Sequence, residues 1–275
     1  MKKGKILVNG SVVLDTILEE EFFGGTGANI SYGLGKLKAS PIFFSLAGKD
    51  FRESYEPHLQ KFGIDSRVCI EETGQTACFF LSKNKKGEDV SVWQSNVYQK
   101  IHKISLEKHI KRSELKEVSI AIFSPGTPES IFKHMSEFKR LNTKATVIFD
   151  PGQEIYNFSK KALQKCTNLA DIFIVNEIEY RETMKILKQD PREVIKDKII
   201  IETKGEKGSL VFQKGKITKI SAVRPKRILD LTGAGDAYRA GLIFGLWKGD
   251  SMVKACALGA RLAAKNIACL GCQRY

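Results

Sequence analysis

No stretch of the chain approaches the ~20 consecutive apolar residues needed to cross a bilayer, so a transmembrane reading is excluded. A secretory leader is also not expected. The start leads straight into Ile6-Leu-Val8, too short for a signal core, and the expected compartment is the cytoplasm. There is no internal repeat, no low-complexity linker and no basic run interleaved with aromatics. The net charge of +14, from 45 Lys and Arg against 31 Asp and Glu, is spread along the chain. The one compact cluster, Lys83-Asn-Lys-Lys86, reads as a solvated turn, so nucleic acid is not an expected partner. Such a field instead suits a polyanionic small substrate. Histidine is scarce, and none lies near the single Cys-x-x-Cys pair, Cys269 and Cys272. Half a zinc site without neighbours reads as packing or a redox-sensitive tail, and the other four cysteines as small buried hydrophobes of a reducing compartment.

What is present is a soluble-globular balance of 42% hydrophobic and 28% charged residues over 275, enough for one large core. The most informative stretch is Asp230-Leu-Thr-Gly-Ala-Gly-Asp-Ala-Tyr-Arg-Ala-Gly241. Gly233 and Gly235 flank Ala234, so the backbone can turn tightly and aim successive N–H groups into one concavity. Ala237, Ala240, Phe244 and Trp247 follow at helical spacing, which puts Asp236 where loop becomes helix. Unpaired amides and the positive end of the dipole make that junction an anion site. A carboxylate fixed there can take a hydroxyl proton while the amides hold a phosphoryl group. The alternative is a glycine turn with Asp236 as an ordinary helix cap.

Along the rest of the chain, Lys5-Ile-Leu-Val-Asn9 predicts a first strand, and Phe22-Phe-Gly-Gly-Thr-Gly-Ala-Asn29 a second glycine-rich turn before a helix carrying Ile30, Leu34 and Leu37. A dinucleotide fingerprint would need its glycines directly after the first strand, and here fourteen residues separate Asn9 from Gly24. Pro41-Ile-Phe-Phe-Ser-Leu46 predicts the next strand. A helix with Tyr55, Leu59 and Phe62 on one face follows, kinked or delayed by Pro57. Thr76-Ala-Cys-Phe-Phe-Leu81 and Asp89-Val-Ser-Val-Trp93 read as a hairpin outside the main sheet. Strand and helix then alternate through Val118–Phe123, a helix capped by Thr127-Pro128, Ala145–Phe149, Ile172–Val175 and Lys198–Ile201. A final hairpin spans Ser209–Phe212 and Lys216–Ile220, and Ser251 caps a last helix. That alternation predicts an α/β fold, a doubly wound, mainly parallel sheet with helices on both faces. Ligands on such sheets bind beyond strand C-termini.

The 230–236 stretch resembles the D-T-x-G-A-G-D signature of the ribokinase-like (PfkB) sugar and nucleoside kinases, with Leu231 in place of the usual Thr. Four further phrases fit the same family: Gly10-Ser-Val-Val-Leu-Asp15, Gly24-Gly-Thr-Gly-Ala-Asn29, the Asn-x-x-Glu pair Asn176 and Glu179, and Thr203-Lys-Gly-Glu-Lys-Gly208. The resemblance covers nearly the whole chain. It implies one ribokinase-like domain over 1–275, with a small β lid formed mainly by about 11–23 and 67–97. It implies transfer of the ATP γ-phosphoryl group to a primary hydroxyl, with Asp236 as base and Gly233, Ala234 and Gly235 as anion hole. Asp15, Gly24, Gly25, Asn29 and Gln153 would bind substrate, and Thr203, Gly205 and Gly208 the nucleotide. Asn176 and Glu179 would organise Mg2+ and phosphate through water, their alternative being an Asn-capped helix with an exposed Glu. The phrases Phe23–Tyr32, Phe149–Gln153 and Gly235–Gly241 look most like the adenosine and nucleoside kinase branch. Phe80 or Trp93 of the lid would then wall a base, or else pack the lid on the core. A ribokinase or fructokinase type, or a non-catalytic nucleotide- or sugar-binding protein, is the alternative. The expected partner is a small molecule, and the expected state a monomer or homodimer. Only eight residues, 16–23, lie between Asp15 and Gly24, so a trimmed lid is expected.

Overall fold

Long runs of Ile, Val and Phe without polar alternation form strands covered on both faces, and the chain has several. The structure is a computed structural model describing residues 3–17, 19–84 and 86–275. Met1 and Lys2 of the expected cytoplasmic start, Leu18 of the lid segment and Lys85 of the basic cluster lie outside the described residues. The strands are β1 (Lys5–Asn9), β2 (Val13–Ile17), β3 (Glu20–Gly24), β4 (Ile42–Gly48), β5 (Asp65–Glu71), β6 (Ala77–Lys83) and β7 (Asp89–Gln94). They continue with β8 (Val118–Phe123), β9 (Thr146–Phe149), β10 (Ile172–Asn176), β11 (Ile199–Thr203), β12 (Ser209–Gln213) and β13 (Lys216–Ile220). Among the described residues, nine strands form one sheet in the order β13-β12-β11-β10-β9-β8-β1-β4-β5. Pairing is parallel from β11 to β5, and antiparallel only at the β11-β12-β13 edge.

Strand alternation divides the apolar residues between the two faces of this sheet. Leu7, Phe44, Phe123, Phe149 and Phe173 pack with Ile131, Met135 and Phe138 of the helix Pro128–Leu141. Ile6, Val8, Phe43, Ile122 and Ile174 pack with helices Thr26–Lys36, Ala234–Lys248 and Met252–Ile267 on the other. The last two helices touch through small residues: a Cβ on Gly241 would meet the Gly259 Cα at 2.7 Å. Thr127 and Ser251 cap their helices as expected, accepting from the amides of Ser130 and Lys254. The helix at Tyr55–Gln60 starts late, with Pro57 in its first turn, where proline displaces no helical hydrogen bond.

One expectation is corrected. Residues 67–71 belong to the main sheet, because β5 pairs in parallel with β4 along its whole length. The short segment after Asp15 contributes its residues 16–17 and 20–23 to the small sheet. It supplies a hairpin of its own, β2 against β3, and the lid is a four-stranded sheet of order β3-β2-β6-β7. The helix after the second glycine turn also begins earlier than the pattern indicates, at Thr26, so that Asn29 sits in its first turns. Glycine is needed inside it, since a Cβ on Gly27 would strike the Gly10 carbonyl carbon at 2.7 Å.

Candidate active site

Gly233 precedes the helix Ala234–Lys248 in a left-handed conformation, φ 74°. Only glycine suits the position, since a side chain would be strained there and its Cβ would meet the Cys272 Sγ at 2.8 Å. Asp230 shapes the turn, its carboxylate accepting from the amides of Thr232 at 2.8 Å and Gly271 at 3.0 Å. The Ala234 amide closes on the Leu231 carbonyl at 3.3 Å. One of the expected anion-hole donors is therefore engaged within the turn itself. Helix geometry leaves the Gly235 and Asp236 amides as first-turn donors.

Asp236 opens onto a cavity of about 210 Å³ that also receives Asp15, Gly25, Asn29, Gln153 and Gly233. These lie on different elements: Asp15 on β2, Gly25 and Asn29 at a helix start, and Gln153 just past the end of β9. The Asn29 Nδ2 donates to the Asp236 Oδ2 at 2.8 Å. Burial pushes the Asp236 carboxyl up to about 7, against the opposing pull of the Arg239 charge and the Asn29 hydrogen bond. Burial, with the charges of Asp236 and Asp230, likewise pushes Asp15 up to about 7. Gly24 lies directly against Asp15, where an added Cβ would meet a carboxylate oxygen at 1.9 Å. The cavity therefore holds two carboxyls that burial pushes well above the usual carboxylate range.

The lid closes one side. Trp93 and Phe79 line the cavity and stand opposite each other in the β6–β7 register. Phe80, one residue on, faces outward with Val92 as its partner and is 40% exposed, which removes it as a wall of this cavity.

Behind Asp236 lies a buried ion pair that the sequence reading did not single out. Arg239, 5% exposed, donates from Nη2 to the Asp150 Oδ1 at 2.7 Å and from Nη1 to the Gly235 carbonyl at 3.1 Å. The signal was a charge of each sign set in otherwise apolar segments, since buried charges need partners.

Asn176 and Glu179 form a reciprocal cap at the start of the helix Glu177–Leu187. The Asn176 Oδ1 accepts from the Ile178 and Glu179 amides at 2.9 and 2.8 Å, and the Glu179 Oε2 from the Asn176 amide at 2.8 Å. Glu179 is buried rather than exposed, and that burial raises its pKa while the nearby Arg239 lowers it. Thr203 ends β11 beside Asn176 of β10, and Gly205 and Gly208 follow with φ of 55° and 87°. These three sit at a neighbouring strand end, outside the cavity around Asp236. Among the described residues no group of three or more His, Cys, Asp or Glu side chains could hold a metal. Mg2+ bound mostly by water and phosphate needs no such group, and the cap engages the Glu179 Oε2 and not its Oε1.

The residues that sequence reasoning missed also include the segment after the last helix. Cys272 lines the cavity beside Gly233, and Gln273 donates to the Asn29 Oδ1 at 2.8 Å. Cys272 stood out only as half of the Cys-x-x-Cys pair, read as packing or a redox-sensitive tail, and no local pattern marks Gln273.

Known proteins share both the fold and the sequence. The chain is 28% identical over 259 residues to the nucleoside kinase of Methanocaldococcus jannaschii, covering 92% of this chain and 82% of the relative. The crystal structure of M. jannaschii nucleoside kinase, an archaeal member of the ribokinase family, superposes with a TM-score of 0.89 at 25% identity, covering 99% of this chain and 94% of that one. Burkholderia thailandensis nucleoside kinase in complex with inosine gives 0.87 at 24% identity, covering 98% and 93%. The model of the pfkB family carbohydrate kinases matches residues 12–274. That span takes in every candidate residue from Asp15 to Asp236, and the chain accordingly belongs to the pfkB family of carbohydrate kinases.

Proposed function

We propose that the protein transfers the γ-phosphoryl group of ATP to a primary hydroxyl of a nucleoside, as a single kinase domain whose small sheet is the substrate lid. The observation that carries this is Asp236, hydrogen-bonded to Asn29 behind the left-handed Gly233, in one cavity with Asp15 and the lid aromatics. Asp236 takes the hydroxyl proton as that oxygen forms its bond to the γ-phosphorus and the bond to the β-phosphate oxygen breaks. With Oδ2 held by Asn29, Oδ1 is the oxygen that meets the hydroxyl. Developing charge on the phosphoryl oxygens falls on the helix start, where Gly233 gives close approach and the Gly235 and Asp236 amides donate. The engaged Ala234 amide shapes the loop rather than leading the anion hole.

Asp15 accepts from the ribose hydroxyls, Gly24 and Gly25 let the sugar approach the backbone, and Gln153 supplies a further polar contact. Trp93 and Phe79 give the flat base an apolar wall, which a free sugar would not need. Thr203, Gly205 and Gly208 form the neighbouring floor for the nucleotide. Glu179, steadied by Asn176, would hold hydrated Mg2+, and the ion would supply positive charge against the phosphates. A cytoplasmic setting suits six cysteines that are all unpaired, and a monomer or homodimer suits the reaction.

The test is ATP consumption across purine and pyrimidine nucleosides, pentoses and hexoses, with Asp236→Asn as control. A purine nucleoside is expected to exceed ribose and fructose in kcat/KM, and Asp236→Asn to lose about 10²–10⁴-fold. Efficient turnover of ribose or fructose, with nucleosides neither phosphorylated nor inhibitory, would overturn the nucleoside assignment.

A further inference from the structure

Gln273 lies 6% exposed beneath the cavity with both ends of its amide in use. Its Nε2 lies 2.7 Å from the Tyr55 hydroxyl and 2.8 Å from the Asn29 Oδ1, and its Oε1 lies 3.0 Å from the His58 Nε2. The Tyr55 hydroxyl in turn lies 2.6 Å from the Gly24 carbonyl. A backbone carbonyl can only accept, so the tyrosine spends its single proton on Gly24. It must then accept from Gln273, which fixes the amide nitrogen of Gln273 toward Tyr55 and its oxygen toward the N–H of His58. The second Gln273 proton goes to Asn29. The Asn29 oxygen therefore faces Gln273, and its nitrogen faces Asp236.

Every donor and acceptor in this chain has one consistent assignment, anchored at an atom that cannot reverse. Asp236 alone would not enforce it. A carboxyl that titrates near neutrality offers an O–H in its acid form, which an amide oxygen satisfies equally well. We propose that Gln273 is a positioning residue that locks the donor side of Asn29 toward Asp236 in both protonation states, so that the proton acceptor keeps one orientation throughout turnover. This deepens the phosphotransfer reading above and rests on Asp236 as its proton acceptor. With its oxygen on Gln273 and its nitrogen on Asp236, Asn29 has a narrower part than the free hydroxyl ligand expected of it.

The experiment compares Gln273→Glu and Gln273→Met in the full chain. The first, as a carboxylate, puts acceptors only against Tyr55 and Asn29, which turns the Asn29 nitrogen away from Asp236, and it is read at high pH because burial favours the acid form, whose O–H still donates. The second keeps much of the volume and removes both donors. The expected kcat loss is about 10- to 100-fold for Gln273→Glu and at least about fivefold for Gln273→Met, with the nucleoside KM within about threefold of wild type. The Asn29 side-chain amide signal, assigned by its loss in Asn29→Asp, is expected to move upfield in Gln273→Glu without any substrate present. A folded Gln273→Glu protein with kcat within about twofold of wild type and an unmoved Asn29 signal would overturn the proposal. Should that variant not fold, Gln273→Met decides, and a kcat within about twofold of wild type sinks the idea. Should the wild type phosphorylate no nucleoside, the functional reading fails, and the Asn29 signal in the two variants still decides the positioning claim.

Discussion

Trp93 and Phe80 sit on adjacent lid strands and are almost equally exposed, 43% and 40%. Truncating either to alanine therefore removes a similar amount of half-buried apolar surface, and the stability costs should match closely. Their directions differ. Trp93 pairs with Phe79 on the cavity side, and Phe80 pairs with Val92 on the outer side. A difference in activity between the two variants then reports which lid face meets the substrate. Loss of a base-stacking aromatic is worth ~1–3 kcal/mol, or roughly five- to 150-fold. Trp93→Ala is expected to lower kcat/KM for adenosine or inosine by that factor, and Phe80→Ala by no more than about twofold. The assay is the initial rate of ADP release at saturating ATP, run in parallel with ribose, whose kcat/KM should not move beyond about twofold in either variant. Equal losses in both variants, or a Trp93→Ala loss shared alike by ribose and nucleosides, would refute the reasoning.

The pH dependence follows from the two cavity carboxyls. As the proposed proton acceptor Asp236 would act as the carboxylate, and burial pushes its pKa up to about 7, so kcat/KM should fall as pH drops through that value. Asp15 rises to about 7 as well, so the acid limb should be steeper than a single ionisation, and Asp15→Asn should flatten it even as it weakens binding. A profile level between about pH 5 and 9 would contradict both. Glu179→Gln should raise the Mg2+ concentration for half-maximal rate roughly 10-fold. An unchanged Mg2+ titration would leave Asn176 and Glu179 with the cap alone. Gly233→Ala puts a Cβ against Cys272 at φ 74°, and should lower Tm by roughly 2–6 °C along with kcat. A thermal melt that matches wild type would show the turn is not constrained as described.

The main sheet was legible because its strands are short apolar runs separated by helical periods. The division into two cores follows from strand alternation alone. β5 was not legible as part of it. Asp-Ser-Arg-Val-Cys-Ile-Glu is the composition of a half-exposed edge strand, and along its whole length it is only half-buried. Nothing local says whether such a strand pairs with β4 or joins a lid. The same limit hides the Asp150–Arg239 pair and the Gln273 relay. Their partners lie 89 and 244 residues apart in sequence, and each residue alone looks like an isolated polar side chain. What could be read was the glycine grammar. Gly24, Gly27 and Gly233 each stand where another group leaves no room for a side chain, so their spacing reflects three-dimensional contacts.

Asn176 and Glu179 show why the choice between a structural and a functional reading was too narrow. The cap is present in full, and it uses the Asn176 Oδ1 and the Glu179 Oε2. Those bonds fix the rotamers of both side chains and leave the Glu179 Oε1 on a side chain that can no longer swing away. A carboxylate that is to meet a hydrated divalent ion benefits from that restraint, because less conformational freedom is lost on binding. A solvent-exposed cap would do the same for the helix without burying an acid that burial makes harder to ionise. The cap explains the geometry of Glu179 but not its burial beside Arg239 and Asp150. A structural role therefore leaves one feature unaccounted for, and the proposed role, a carboxylate that would hold hydrated Mg2+ beside the phosphates, is the one that would use it.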